Sequence, residues 1–161
     1  MKKVEIITTA FEYDSLEELT KEEQLLINTS KEAVKNAYAP YSKFSVGAAV
    51  LLENGKIISG TNQENAAYPS GLCAERVAIF YANSKYPDIP VSAIAVSAFT
   101  NNKFIDKPIP PCGSCRQVII ETETRFKKPI KIYLVSRNKI TVIEDAKNLL
   151  PLNFDTNFLI N

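Results

Sequence analysis

The sequence contains no histidine and no tryptophan among its 161 residues. Without histidine there is no Ser-His-Asp or Cys-His catalysis and no histidine-bearing metal site, so any metal must rest on Cys, Asp or Glu. Only three cysteines are present, an odd number and too few to staple a chain of this length. That argues against a secreted disulfide scaffold and for free or metal-bound thiols in a cytoplasmic protein. A surplus of one charge is lacking too: 19 Lys and Arg against 18 Asp and Glu leave a formal +1, little with which to grip a nucleic acid or an anionic membrane. No run reaches the roughly 18 apolar residues of a membrane span. Glu5, Thr8, Thr9 and Glu12 interrupt any apolar core of a signal peptide.

What is present has ordinary globular proportions, 45% hydrophobic and 23% charged, and the length predicts one domain over residues 1–161. Val4 to Phe11 is rich in Ile, Val and Thr and reads as a short edge strand or an extended arm. From Ser15 the grammar turns helical. Ser15-Leu16-Glu17-Glu18 and Thr20-Lys21-Glu22-Glu23 both read as capping boxes, and Leu25, Leu26, Ala33, Val34 and Ala37 recur at helical intervals before Pro40. Val46 to Leu52 and Lys56 to Gly60 are β-rich runs joined through Glu53-Asn54-Gly55, a strong hairpin signal. Helices are then predicted over Ala74 to Asn83 and Gly113 to Thr124, and strands over Val91 to Ala98, Ile130 to Val135 and Ile140 to Ile143. A short helix over Glu144 to Leu150 stops at Pro151. Such alternation implies an α/β fold with helices on both faces of a sheet, the strands at 91 and 130 running parallel.

The cysteines fall in two clusters, Cys73-Ala74-Glu75-Arg76 and Pro111-Cys112-Gly113-Ser114-Cys115, each where a loop feeds a helix. A helix N-terminus favours thiolate over thiol. Cys-x-x-Cys spaces two sulfurs for adjacent corners of a zinc tetrahedron, and Cys73 as third ligand leaves a corner open, the mark of a catalytic rather than a structural zinc. Taken alone, Cys-x-x-Cys also fits a redox pair. Glu75 is two residues from Cys73, near enough to exchange protons with a water at the metal without being a ligand. Three thiolates and Zn²⁺ sum to −1, a charge that Arg76, pointed at the sulfurs, draws back.

The pairing of Cys-Ala-Glu with Pro-Cys-x-x-Cys resembles the zinc nucleobase deaminases. Further segments narrow the likeness: Tyr38-Ala39-Pro40-Tyr41-Ser42-Lys43-Phe44-Ser45-Val46-Gly47-Ala48-Ala49, Gly60-Thr61-Asn62-Gln63-Glu64-Asn65-Ala66-Ala67-Tyr68, and Cys115-Arg116-Gln117-Val118. Together these are similar to the homotetrameric cytidine deaminases of nucleoside salvage, from about residue 24 to Leu149-Leu150-Pro151.

The resemblance implies a three-layer α-β-α sandwich on a mixed five-stranded sheet. It implies one Zn²⁺ per subunit on Cys73, Cys112 and Cys115, and hydroxide attack on C4 of cytosine, releasing ammonia. It puts Asn62 and Glu64 on the ribose hydroxyls, Phe44 on the pyrimidine face and the Ala74 N–H on the base carbonyl. It brings Phe154 to the pocket of a neighbouring subunit. Two departures concern assembly: residues 1–20 precede the family's usual first helix as an N-terminal extension, and the tail reads Leu152-Asn153-Phe154 where a small residue is expected.

Rival readings are a deaminase of modified nucleosides or aminopyrimidine antibiotics, a nucleic-acid editor, and a zinc-stabilised interaction protein. Asn62 and Glu64 argue against the first. The neutral charge and the absence of Trp argue against the second, and Glu75 against the third. Arg116 and Gln117 fit solvent, the sulfurs or an interface equally well, and nothing in the sequence separates cytidine from deoxycytidine.

Overall fold

The computed structural model describes residues 1–159. The element order is β1 (Phe11–Tyr13), α1 (Lys21–Ala33), β2 (Ser45–Leu52), β3 (Ile57–Thr61), α2 (Ala74–Lys85), β4 (Val91–Thr100), β5 (Lys103–Phe104), α3 (Gly113–Phe126), β6 (Lys131–Val135) and β7 (Ile140–Ile143), with short 3₁₀ turns between. The strands form one sheet in the order β1-β7-β6-β4-β2-β3, with β5 folded back on β4. β4 and β6 are parallel, as the helical crossover between them demands, and the remaining pairs are antiparallel.

The expected alternation of faces is realised along β2. Ala48, Val50 and Leu52 pack with Ala78, Ile79, Ile119 and Ile120 of α2 and α3, whereas Ala49 and Leu51 pack with Leu26 and Ile27 of α1. The sheet is therefore the middle of three layers, as expected. Each fully buried Ile contributes on the order of 1.5–3 kcal/mol of hydrophobic stabilisation.

The sheet has seven strands, not five. β2, β3, β4, β6 and β7 are the five that the patterning predicts; β1 and β5 add three and two residues. Their stability comes from distant partners: Phe11 pairs with Val142, and Phe104 pairs with Phe99, the two rings edge to face at 5.3 Å. Residues 1–10 carry no regular structure, so only the end of the predicted Val4 to Phe11 segment is a strand.

Capping chemistry sorts the two boxes. Thr20 and Glu23 exchange bonds across the start of α1, Thr20 N–H donating to Glu23 Oε2 at 2.8 Å and Glu23 N–H to Thr20 Oγ1 at 3.3 Å. Ser15 N–H donates to Glu18 Oε1 at 2.9 Å, but this box starts only the 3₁₀ turn Leu16–Glu18. The expected helix over 144–150 is likewise a 3₁₀ turn, Ala146–Leu149.

Two glycines are needed where they stand. Gly55 has φ +79 in the β2–β3 turn, the left-handed conformation that turn requires. Gly60 lets β3 lie directly on the first turns of α2: a Cβ there sits 2.5 Å from Ala78 N and 2.8 Å from Ala74 O. Both are backbone atoms of the helix that carries Cys73 and Glu75, so the clash is relieved only by moving that helix. Gly60→Ala is expected to cost about 2–3 kcal/mol, read as a lower urea midpoint with unchanged slope; an unaltered midpoint disproves the close approach.

Candidate active site and metal centre

Cys73 is the N-cap of α2 and Cys112 the N-cap of α3; neither side chain caps its helix, so both sulfurs are available to a metal. Cys115 is in the first turn of α3, fully buried, while Cys112 is exposed. The three Sγ atoms lie within 4.8 Å of one another, Cys73 to Cys112 at 3.7 Å and Cys112 to Cys115 at 3.5 Å. A zinc tetrahedron with Zn–S bonds near 2.3 Å has edges of about 3.8 Å. The trio fits a zinc ion.

The electrostatics fit as well. A hydrogen bond from Cys115, joined against the cost of burial by others from Cys112 and Arg76, pulls the Cys73 thiol down to about 5. Its hydrogen bond with Cys73, together with burial and the Glu75 carboxyl, pushes the Cys115 thiol up. Left to themselves, the sulfurs favour one thiolate and resist a second; a bound dication reverses this, because a coordinating thiol is deprotonated outright. The Arg76 guanidinium holds its charge against desolvation by its interactions with Cys73 and Cys115. Its Nε is buried with no hydrogen-bond partner among the described residues.

Glu75, in the first turn of α2, is only 4% exposed. Burial first, and then the nearby Cys73 sulfur, push its carboxyl above the ordinary carboxylate range. A carboxyl so placed holds a proton more readily than a solvated one, as a group that must carry a proton between water and a leaving group requires.

Beside the cluster opens a cleft of about 550 Å³ lined by Tyr41, Ser42, Asn62, Glu64, Tyr68, Cys73 and Arg76 among others. That is within the range of small-molecule sites. The structure thus brings Asn62 and Glu64 to the same cleft as Cys73. Both side chains are also wired into the loop before β2: Asn62 Nδ2 donates to the Phe44 carbonyl at 2.9 Å and its Oδ1 accepts from Val46 N–H at 2.8 Å. Glu64 Oε2 accepts from Tyr41 N–H at 2.9 Å. Phe44 is half-buried and is not among the residues lining the cleft; Ala74 is buried at the start of α2. Phe154 is 56% exposed, stacked on Phe158 at 5.7 Å, and lies outside this cleft.

The two side chains that the sequence left open have definite partners. Arg116 donates through Nε to the Pro111 carbonyl at 2.8 Å and through Nη1 to the Leu149 carbonyl at 2.7 Å, tying the residue before Cys112 to the C-terminal turn. Gln117 Nε2 donates to the Phe154 carbonyl at 2.8 Å. The Tyr41–Tyr68 pair, rings edge to face at 6.3 Å on the cleft wall, had no assigned role in the sequence, nor had Ser42. All three lie within the segments 38–49 and 60–68 that carry the family resemblance.

The profile of the family described as "Cytidine and deoxycytidylate deaminase zinc-binding region" matches residues 20–128. The chain belongs to that family. The match encloses all three cysteines and Glu75. Within the family, the chain is 49% identical over 98 residues to the cytidine deaminase of Halalkalibacterium halodurans, covering 61% of this chain and 70% of that protein. Among solved structures, a cytidine deaminase from Burkholderia pseudomallei superimposes with a TM-score of 0.70 at 39% identity, over 84% of this chain and 100% of that one. One from Mycobacterium tuberculosis does so with a TM-score of 0.65 at 30% identity, over 82% and 96%. These deaminase structures share the fold derived above, and in this member of a zinc-binding family the Cys73, Cys112 and Cys115 cluster is positioned to hold a metal ion.

Proposed function

We propose that this protein hydrolyses cytidine and deoxycytidine to uridine and deoxyuridine, consuming water and releasing ammonia, in pyrimidine nucleoside salvage. The observation that carries this reading is the buried Glu75 carboxyl beside three clustered thiols, with Cys73 opening on a nucleoside-sized cleft. Zinc held by Cys73, Cys112 and Cys115 supplies a Lewis acid that makes hydroxide available at neutral pH. Glu75 holds the proton that water gives up and returns it to the departing C4 amino group. Arg76 withdraws charge from the Cys73 and Cys115 sulfurs.

On the binding side, Asn62 and Glu64 meet the ribose, the Ala74 N–H meets the base carbonyl, and Phe44 stacks on the pyrimidine after a side-chain movement into the cleft. The Glu64 carboxylate, held below its ordinary range first by the Ser42 hydroxyl, repels a phosphate at that end. The whole chain acts as one domain with residues 1–20 as an extension, and four copies assemble with one zinc each, Phe154 of one copy reaching the pocket of another. Exposed Phe80 and Tyr81 on α2 and exposed Phe154 and Phe158 near the C-terminus support such assembly. The reading places the enzyme in the cytoplasm; among the described residues no helix is long and apolar enough to cross a membrane.

The test is the fall in ultraviolet absorbance when zinc-replete protein meets cytidine, with cytosine and cytidine monophosphate in parallel. Turnover of the nucleosides at least about a hundredfold above the other two is expected, since both the ribose contacts and the repelled phosphate act on kcat/KM. No turnover of any substrate, with zinc bound, overturns the reading.

A further inference from the structure

The loop between α1 and β2 is held in a tight turn, with Lys43 at φ +57 and Lys43 N–H bonded to the Ala39 carbonyl at 3.1 Å. At its centre the Ser42 hydroxyl does two things at once. It donates to Glu64 Oε1, and it accepts from the Phe44 N–H at 3.0 Å. The Ser42 and Tyr41 N–H groups add bonds to Glu64 Oε2 at 3.3 and 2.9 Å. A carboxylate has about four acceptor sites, so the turn occupies three and leaves one for an arriving donor. Tyr41, Ser42, Asn62 and Glu64 all line the cleft that Cys73 also lines.

We propose that Ser42 is a positioning residue: its hydroxyl fixes the free acceptor site of Glu64 in the direction of the sugar and so sets the preference for nucleosides that carry a 3′-hydroxyl. The proposal rests on the placement of Glu64 at the ribose. A glutamate in solvent samples many rotamers, and freezing it as the sugar binds costs entropy. Here the turn has already frozen it, so the sugar hydroxyl meets an oriented, ionised acceptor. Because the same Ser42 oxygen accepts from the Phe44 backbone, the sugar and base ends of the cleft share one anchor.

Ser42→Ala leaves the backbone donors in place and removes only the hydroxyl. The experiment compares kcat/KM for cytidine and 3′-deoxycytidine in wild type, Ser42→Ala and Ser42→Thr, each checked for thermal midpoint and zinc content. A hydrogen bond to an ionised group predicts a wild-type preference for cytidine of about ten- to a hundredfold. Ser42→Ala is expected to shrink that preference about tenfold, mainly by raising KM for cytidine, and Ser42→Thr to restore it. An equal loss on both nucleosides marks a merely structural role and overturns the proposal, as does a preference that survives in Ser42→Ala. Wild-type protein that turns over cytidine but ignores the 3′-hydroxyl also overturns it. Wild-type protein that turns over neither nucleoside overturns the deaminase reading instead, so the two failures are distinct.

Discussion

Glu75→Gln is expected to lower kcat for cytidine by at least about three orders of magnitude while leaving zinc content and fold intact. The substitution preserves volume and one oxygen but cannot accept and return a proton, and no second buried titratable carboxyl adjoins the cysteines among the described residues to replace it. Glu123, the other carboxylate buried to a similar degree, accepts instead from the Ile130 and Ala146 N–H groups at 2.9 and 3.0 Å and is committed to holding the end of α3. The stability consequence has a definite sign. The folded state raises the Glu75 pKa, chiefly through desolvation, so the protonated form is the better tolerated. The stability this confers is fully present below the unfolded value and is lost as pH rises through the folded one. A permanently neutral glutamine keeps that advantage at neutral pH. Glu75→Gln should therefore melt no lower than wild type in the metal-free state, and slow turnover cannot be blamed on unfolding. Single-turnover measurements on zinc-loaded protein check the rate; near-normal turnover removes Glu75 from the chemistry.

The site's chemistry was legible in the sequence where local geometry decides it. Cys112 and Cys115 are three apart at a helix start, and that spacing alone sets their sulfurs 3.5 Å apart. Glu75 and Arg76 follow Cys73 into the first turn of α2, so their nearness to the sulfurs is again a local matter. The β2–β3 hairpin was readable from Asn54-Gly55, because only a glycine-like φ closes that turn.

What escaped was whatever depends on distant partners. A three-residue strand such as β1 has no periodicity worth reading and exists because β7 offers an open edge almost 130 positions later. Arg116 could not be assigned because its acceptors are carbonyls, on Pro111 and Leu149, and every residue type supplies a carbonyl. Asn62 and Glu64 were singled out for a ligand, yet each also satisfies backbone groups of the loop before β2. Their second duty is invisible in a motif, since a motif records residue identity and not which donors face it. The resemblance placed Phe44 on the base; in the structure its side chain is not on the cleft wall, while its backbone N–H and C=O are both held by cleft residues.

The cysteines allow the metal's share of stability to be measured cleanly, because the three differ in exposure. Truncating Cys115, which is fully buried, removes a ligand and opens a void together, and the two costs merge. Cys112 is exposed, so Cys112→Ala takes a ligand away while leaving the metal-free packing almost as it was. A two-thiol remnant holds zinc far more weakly than three, and the variant is expected to retain less than about a tenth of an equivalent after dialysis. Ligand binding to the folded state alone stabilises by about 4 kcal/mol at a thousandfold excess over Kd. For a chain of this size that corresponds to a melting temperature about 8–16 °C higher. Cys112→Ala should forfeit that whole increment, and chelator-treated wild type should melt with it rather than with the zinc-loaded protein. The pairing is the decisive part: if the variant melts well below chelated wild type, Cys112 serves packing, and if it keeps a full equivalent of zinc, the ligand set is wrong.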